Sequence, residues 1–450
     1  MTVLQAGGKA RQVARICAGL ALVGGLTAGL GTTPAMGLST AHRATVRANA
    51  STASAAHCAH PVRRPVGPFT IRRDDRTIQD SRGRVFVTYG ITVPGLSSPS
   101  FRKDPGSFVT QVVAGKDIPK INATAQAWCG NTVRLQVSQY DVVTNSSPAC
   151  DTAFLDRALD REVQKAESDG LVVVINDNTE SDPGATAERD PTQATFEFWN
   201  CVTRHAESWR TGVTYARDPQ VIFDVFNEPR ADSCRHPHGG PFDMNLWRNG
   251  GTGQCGPAVH YQGMDAVVYH LRHFDSARNL VWVEGPGTGN TLAGLLRGPC
   301  PGRSNCLITA ALGPVAYAIH HPYVSEPSVP ASPATWWKEF GYLIDRPDRA
   351  HGVAPVVAGE WTNFSGQNAY CWPDAPVSVP RFLSYLQALG IGMSAYQLSP
   401  PYLIQSKGRW SDTTFYPSPA TRVNCGQGIW PRNQVQGPGA DIRAWFRARD

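Results

Sequence analysis

No Cys-x-x-Cys pair occurs in this 450-residue chain, which removes zinc knuckles and dithiol redox motifs from consideration. No long basic run occurs either. Lys9, Arg11 and Arg15 stand in a first stretch of 37 residues that has no acid; without them the chain carries 39 basic against 36 acidic residues. That balance offers nucleic acid no electrostatic footing. Beyond the N-terminal region no apolar stretch is long enough to span a bilayer, and no Gly-rich phosphate fingerprint follows the first strand candidate, which disfavours a doubly wound nucleotide-binding sheet.

What is present begins with a targeting pattern. A basic region to Arg15, an apolar stretch from Ile16 to Leu30 and the small residues of "PAMG" predict a signal peptide over 1–37, cleaved on export. An uncleaved anchor is the alternative, disfavoured by the many glycines. Residues 38–66, rich in Ser, Thr, Ala, Arg and Pro, read as a flexible lead-in. The rest, 67–450, is expected to form one domain, secreted and without stable membrane association. Ten cysteines follow Cys17, and an even number in an exported chain predicts disulfides. Cys300 with Cys306, and Cys234 with Cys255, are the local pairs expected; the other six stay open.

From there the chain alternates. Short apolar runs stand at 84–91, 132–137, 171–177, 221–226, 280–285, 315–321, 355–361 and 391–398, and amphipathic stretches at 151–170, 195–209, 264–274, 334–344 and 379–389 lie between them. Eight buried strands interleaved with helices predict an α/β fold, a single (β/α)8 TIM barrel.

In such a barrel the C-terminal strand ends carry chemistry. The fourth run, "VIFDVFNEPR", ends in Asn227, Glu228 and Pro229, and the seventh, "PVVAGEW", ends in Glu360 and Trp361. Strands four and seven face one another across a barrel mouth, so both carboxylates can reach one cleft. Two facing carboxylates suit glycosidic cleavage, one as proton donor and one as an ionised group at the anomeric carbon. Glu284, at the end of the fifth run and followed by Gly-Pro-Gly, reads as a structural or outer-subsite carboxylate. The oxygen-rich "NDNTESD" lacks the spacing of a helix-loop-helix calcium site, and no metal or other cofactor is expected. Trp247, Trp361, Trp410 and Trp430 fall in expected mouth loops, where tryptophan can stack on sugars.

"FDVFNEPR" resembles the Asn-Glu-Pro motif of glycoside hydrolase family 5, the cellulase family of retaining (β/α)8 enzymes. "YGITVPGL", "VRLQV", "HHPY" and "GEW" follow the family's order over roughly residues 80–400. The resemblance implies Glu228 as general acid and base, Glu360 as nucleophile and Asn227 on the sugar 2-hydroxyl. It also implies that Arg134 and Tyr323 hold Glu360 ionised and that His321 orients the acid. Two departures stand out: where the family usually has a histidine after strand three and a tryptophan after strand eight, Asn178 and Gln397 stand here. A polar floor in place of the tryptophan predicts weaker action on cellulose than on some other glycan. The partner expected is a polysaccharide or oligosaccharide substrate, met by a monomer. The competing readings are an inactive carbohydrate-binding barrel and a hydrolase of another family in the same barrel clan.

Overall fold

The computed structural model describes residues 64–448 apart from 97–127, 144–148, 180–187, 232–241, 296–306, 321–331, 345–353, 366–369, 398–402, 404–438 and several shorter breaks. The sequence runs predict eight parallel strands, and eight close into a barrel: β1 Tyr89–Leu96, β2 Thr132–Ser138, β3 Val172–Asn178, β4 Val221–Asp224, β5 Val281–Glu284, β6 Val315–Ile319, β7 Val356–Trp361 and β8 Gly392–Tyr396. Each strand pairs in parallel with its chain neighbours, and β8 closes on β1 through Met393 opposite Tyr89. Among the described residues no helix is long and apolar enough to cross a membrane.

Alternation along the strands sorts side chains into two environments. Val133, Leu135 and Val137 of β2 and Val173 and Ile175 of β3 join the large cluster shared with the helices. Val172 and Val174 of β3, Ile222, Trp282, Ala316, Ala318 and Val357 form a second buried cluster. This second set fills the lower barrel, and Phe69, Ile78 and Phe86 belong to it. The first strand therefore starts at Tyr89, not at 84. The apolar residues before it serve another surface: Phe86 packs on Phe69 at 4.6 Å, while Val85 is exposed.

The helices start where side chains cap them. Asp151 accepts from the backbone of Phe154 ahead of a helical run through Ser168, which includes a wide turn at Leu155–Leu159. Thr192 and Thr195 form a reciprocal cap on Gln193–Arg204, and Ser332 accepts from Thr335 N at the start of Pro333–Glu339. Two helices stop earlier than their periodicity suggests. His205 turns to an extended conformation, and Phe340 breaks the later one before a short 3-10 turn. A disulfide joins Cys150 to Cys201, and Cys129 and Cys255 are also disulfide-bonded. Cys234, Cys300 and Cys306, on which the expected local pairs depend, lie outside the described residues.

Candidate active site

One step up each strand from the apolar layer, the inward positions turn polar. Val174 gives way to Asn176, Ile222 to Asp224, Trp282 to Glu284, and Ala318 to His320, all of them buried. On β2 the alternation places Arg134 and Gln136 on the same inward face.

Arg134 is the hub. Its fully buried guanidinium donates through Nε to Asp224 Oδ2 at 2.7 Å, through Nη1 to Glu360 Oε2 at 2.6 Å, and through Nη2 to Asn227 Oδ1 at 2.8 Å and Glu284 Oε1 at 2.9 Å. Burial works against the charge, but Asp224, Glu360 and Glu284 outweigh it and hold Arg134 firmly as a cation. Gln136 Nε2 adds a second donor to Glu360 Oε2 at 2.8 Å. A carboxylate held by a cation and an amide is kept ionised.

Glu360 reaches this clamp because β7 is irregular. Ala358 pairs with Met393 and Trp361 with Ala395, so three steps on β7 match two on β8. Such a bulge re-aims side chains: Ala358 and Trp361 both join the outer cluster, and Glu360 turns in to Arg134. The same bulge overturns the expectation for Trp361. Its ring is fully buried and packs on Phe382 at 5.0 Å, away from the mouth. Trp247 is buried as well, donating its indole N–H to the Glu284 carbonyl.

Glu228 sits just past β4 with φ 51, a left-handed conformation uncommon outside glycine. Its backbone N–H donates to Glu284 Oε2 at 2.6 Å. Its carboxyl oxygen Oε1 lies 3.2 Å from His320 Nδ1, and His320 Nε2 lies 2.9 Å from Glu284 Oε1. Burial disfavours charge on His320, but the Glu284 charge, hydrogen bonds to Glu228 and Glu284, and the Glu360 charge raise its pKa well above that of free imidazole. The loop after Glu284 is shaped for this ring: Gly289 has φ 73, and a Cβ there would come within 2.8 Å of the imidazole. The glycine-rich loop whose first residues made Glu284 look incidental thus belongs to the site through Gly289. Asp224 is pushed up to about 8 by burial and by the Glu284 charge, against the pull of Arg134 and His320.

Four carboxyls therefore share two cations, and exposure separates them. The side chains of Glu228 and Glu360 keep 13% and 7% of their surface open, whereas Asp224 and Glu284 keep 0%. A ligand atom of Glu228, of His320 and of Glu360 all lie within 4.8 Å of one another. Two groups here, Asp224 with Glu284 and His320, and Glu228 with His320 and Glu360, have the ligand density of a metal site. Arg134 already places a cation on Asp224, Glu284 and Glu360. A third group, Asp156, Asp160 and His205, lies apart from the mouth, and there Asp160 is engaged by His205, the Ser208 backbone and the Tyr215 hydroxyl.

The structure brings together Arg134, Asn227, Glu228 and Glu360. His321, Tyr323, Trp410 and Trp430 lie outside the described residues, and the imidazole that touches Glu228 is that of the preceding residue, His320. Asn178 ends β3 opposite Ser138, on the inward face. On β8, Ser394 Oγ bonds Thr92 Oγ1 of β1, so the inward face continues to Tyr396, half-buried and opposite Thr92. Gln397 follows the strand and is buried. The strand end therefore presents an aromatic ring where a polar floor was expected. Gln136, Asp224, Glu284 and His320 were not singled out as site residues; a two-residue step from an apolar inward position was the signal that could have found Asp224, Glu284 and His320.

The sequence profile of Cellulase (glycosyl hydrolase family 5) matches residues 105–400. Among curated proteins, none matches the chain in sequence. Among solved structures, the chain is similar to β-glucanase SdGluc5_26A from Saccharophagus degradans, at 16% identity and TM-score 0.50 over 76% of this chain and 88% of that one. It is also similar to an endocellulase from Pyrococcus horikoshii in complex with cellotetraose, at 13% identity and TM-score 0.51 over 85% of this chain and 99% of that one. At such identities these two likenesses speak for the fold alone.

Proposed function

The chain belongs to glycosyl hydrolase family 5, the cellulase family, and from that premise we propose that it is an exported, monomeric, retaining glycoside hydrolase acting on a polysaccharide or oligosaccharide. One observation carries the mechanism. Of four clustered carboxyls, the two that reach solvent are Glu228 and Glu360, and they have oxygens within 4.8 Å of each other. Retaining glycosidases set their two carboxyl groups about 5 to 5.5 Å apart; a gap that small leaves no room for the attacking water of an inverting enzyme.

Glu360, held ionised by Arg134 and Gln136, attacks the anomeric carbon. Glu228 protonates the departing oxygen, and the Glu360 glycosyl ester forms as the glycosidic bond breaks. With the Glu360 charge consumed, Glu228 becomes the base that takes a proton from water. Water then cleaves the ester and restores both groups. Asn227 has its Oδ1 engaged by Arg134, so what it offers the sugar 2-hydroxyl is the amide N–H2. Tyr396 gives the reacting ring an aromatic neighbour, and Asn178 a neutral polar one. This moves the substrate expectation back toward β-glucans, the class named for the solved relatives.

The decisive variant is Glu360→Ala. It should lower turnover by at least about 10⁴-fold, and azide should restore it with the product's anomeric configuration inverted. Retained activity without azide would remove Glu360 as nucleophile. A wild-type protein that binds oligosaccharides and cleaves no glycoside would favour the binding-barrel reading.

A further inference from the structure

Glu284 cannot touch a substrate, since its side chain is fully buried beneath Glu228 and Glu360. It is nonetheless the junction between the two halves of the site. One oxygen, Oε2, accepts the backbone N–H of Glu228 at 2.6 Å. The other, Oε1, lies 2.9 Å from Arg134 Nη2 and 2.9 Å from His320 Nε2. That contact is one of proximity rather than of aligned hydrogen-bond geometry, and a buried ring so close to a carboxylate is favoured in its protonated form, with hydrogen on Nε2. Nδ1 is then directed to Glu228 Oε1, 3.2 Å away.

We infer that Glu284 is a positioning residue for proton donation: it fixes His320 and the Glu228 backbone so that His320 Nδ1–H occupies Oε1 of Glu228, leaving Oε2 to carry the proton delivered to the leaving group. This rests on the reading of Glu228 as general acid. The proton count closes. Glu228 gives its Oε2 proton to the glycosidic oxygen, the resulting carboxylate keeps the Nδ1–H bond, and the proton lost from water in the second step returns to Oε2. His320 neither gains nor loses a proton over the cycle, in keeping with the carboxylates that hold it as imidazolium. Among the described residues the charged groups facing this pair are Arg134 from β2, Asp224 from β4, Glu284 at the end of β5 and Glu360 from β7.

The test is Glu284→Gln, assayed on an oligosaccharide, whose sugar leaving group needs a proton, and on a dinitrophenyl glycoside, whose leaving group departs without one. On the oligosaccharide, kcat/KM should fall about 100-fold, the size of a general-acid contribution. The basic limb of its pH profile should move to lower pH, because a negative charge that holds protons on the pair is gone. On the dinitrophenyl glycoside the glycosylation rate should fall far less, since only the shared contact with Arg134 is disturbed. Equal losses on both substrates with no movement of the limb would reduce Glu284 to a structural role, and no loss on either would remove it from the site; each overturns the inference. Should Glu284→Gln not fold, ¹⁵N spectra of wild-type His320 decide: both ring nitrogens protonated across the active pH range supports the inference, and an unprotonated Nε2 overturns it. Failure of the underlying reading shows separately, as Glu228→Ala losing no more activity on the oligosaccharide than on the dinitrophenyl glycoside.

Discussion

The lower and upper halves of the barrel interior are built from the same strands, one inward step apart, and obey different rules. Below, Val172, Val174, Ile222, Trp282, Ala316, Ala318 and Val357 pack with Phe69, Ile78 and Phe86, a layer held by contact and indifferent to pH. Above, Arg134, Gln136, Asp224, Glu284, His320 and Glu360 are buried with charges that stabilise each other only as a set. Burying one ion costs several kcal/mol unless a partner offsets it, so the upper layer fails as a unit where the lower fails by increments. The apolar layer beneath is what makes the upper one effective: side chains of low polarity screen the field of Arg134 little before it reaches Glu360.

The largest break in that contrast should come from Arg134→Met. The substitution leaves Asp224, Glu284 and Glu360 facing one another without the cation that bonds all three, and breaking a buried ion set in this way costs about 3 to 5 kcal/mol. Turnover should vanish with it. Denaturant titration should find the deficit largest near neutral pH and shrinking as the medium acidifies and protons replace the lost charge. A deficit constant with pH would mean that Arg134 acts through its bulk.

Asp224→Asn should shift stability in the opposite direction as pH rises. Asp224 is pushed up to about 8 in the fold by burial and by Glu284, whereas an unfolded aspartate titrates near 3.9. A raised pKa contributes stability that is complete below the unfolded value and lost as pH climbs through the folded value. Wild type should therefore lose stability relative to Asp224→Asn between about pH 4 and 8, by up to about 1.4 kcal/mol per pH unit. Parallel stability curves for the two proteins would show that Asp224 is ionised in the fold.

The two halves were also unequally legible. Strands two to eight could be placed within a few residues, because a strand buried on both faces is a run of Val, Ile, Leu and Ala whatever its neighbours. The first was misplaced because "RVFV" is as apolar as a strand, yet Phe86 belongs under the barrel. In the upper half, Glu228 and Glu360 could be found because carboxylates interrupt apolar runs there. The direction of a side chain at an irregular step could not. The bulge that turns Glu360 inward and Trp361 outward is a matter of pairing with β8, and nothing in "AGEW" states it. Glu284 was undervalued and His320 passed over for a related reason: the role of each arises from contact with Glu228 at the end of another strand, which its own strand does not state.

The smallest effect expected is from Ile222→Val, which sharpens the comparison because Ile222 lies two residues before Asp224 on the same strand and faces the same way. Ile222 is fully buried in the lower layer, and removing one methyl from such a site costs about 0.5 to 1.5 kcal/mol in lost transfer energy and cavity. The Ile222 side chain carries no charge and makes no hydrogen bond, so the loss should be equal at pH 5 and pH 8, and kcat/KM on an oligosaccharide should match wild type. Combined with Asp224→Asn, its effect tests whether the layers are separable. Adjacent inward positions can couple through packing, but a contact layer and a charge layer should add. Denaturation midpoints of the single and double variants at both pH values would show it; a non-additive double variant, or a pH-dependent cost for the methyl alone, would mean that the apolar layer tunes the charges above it rather than only supporting them.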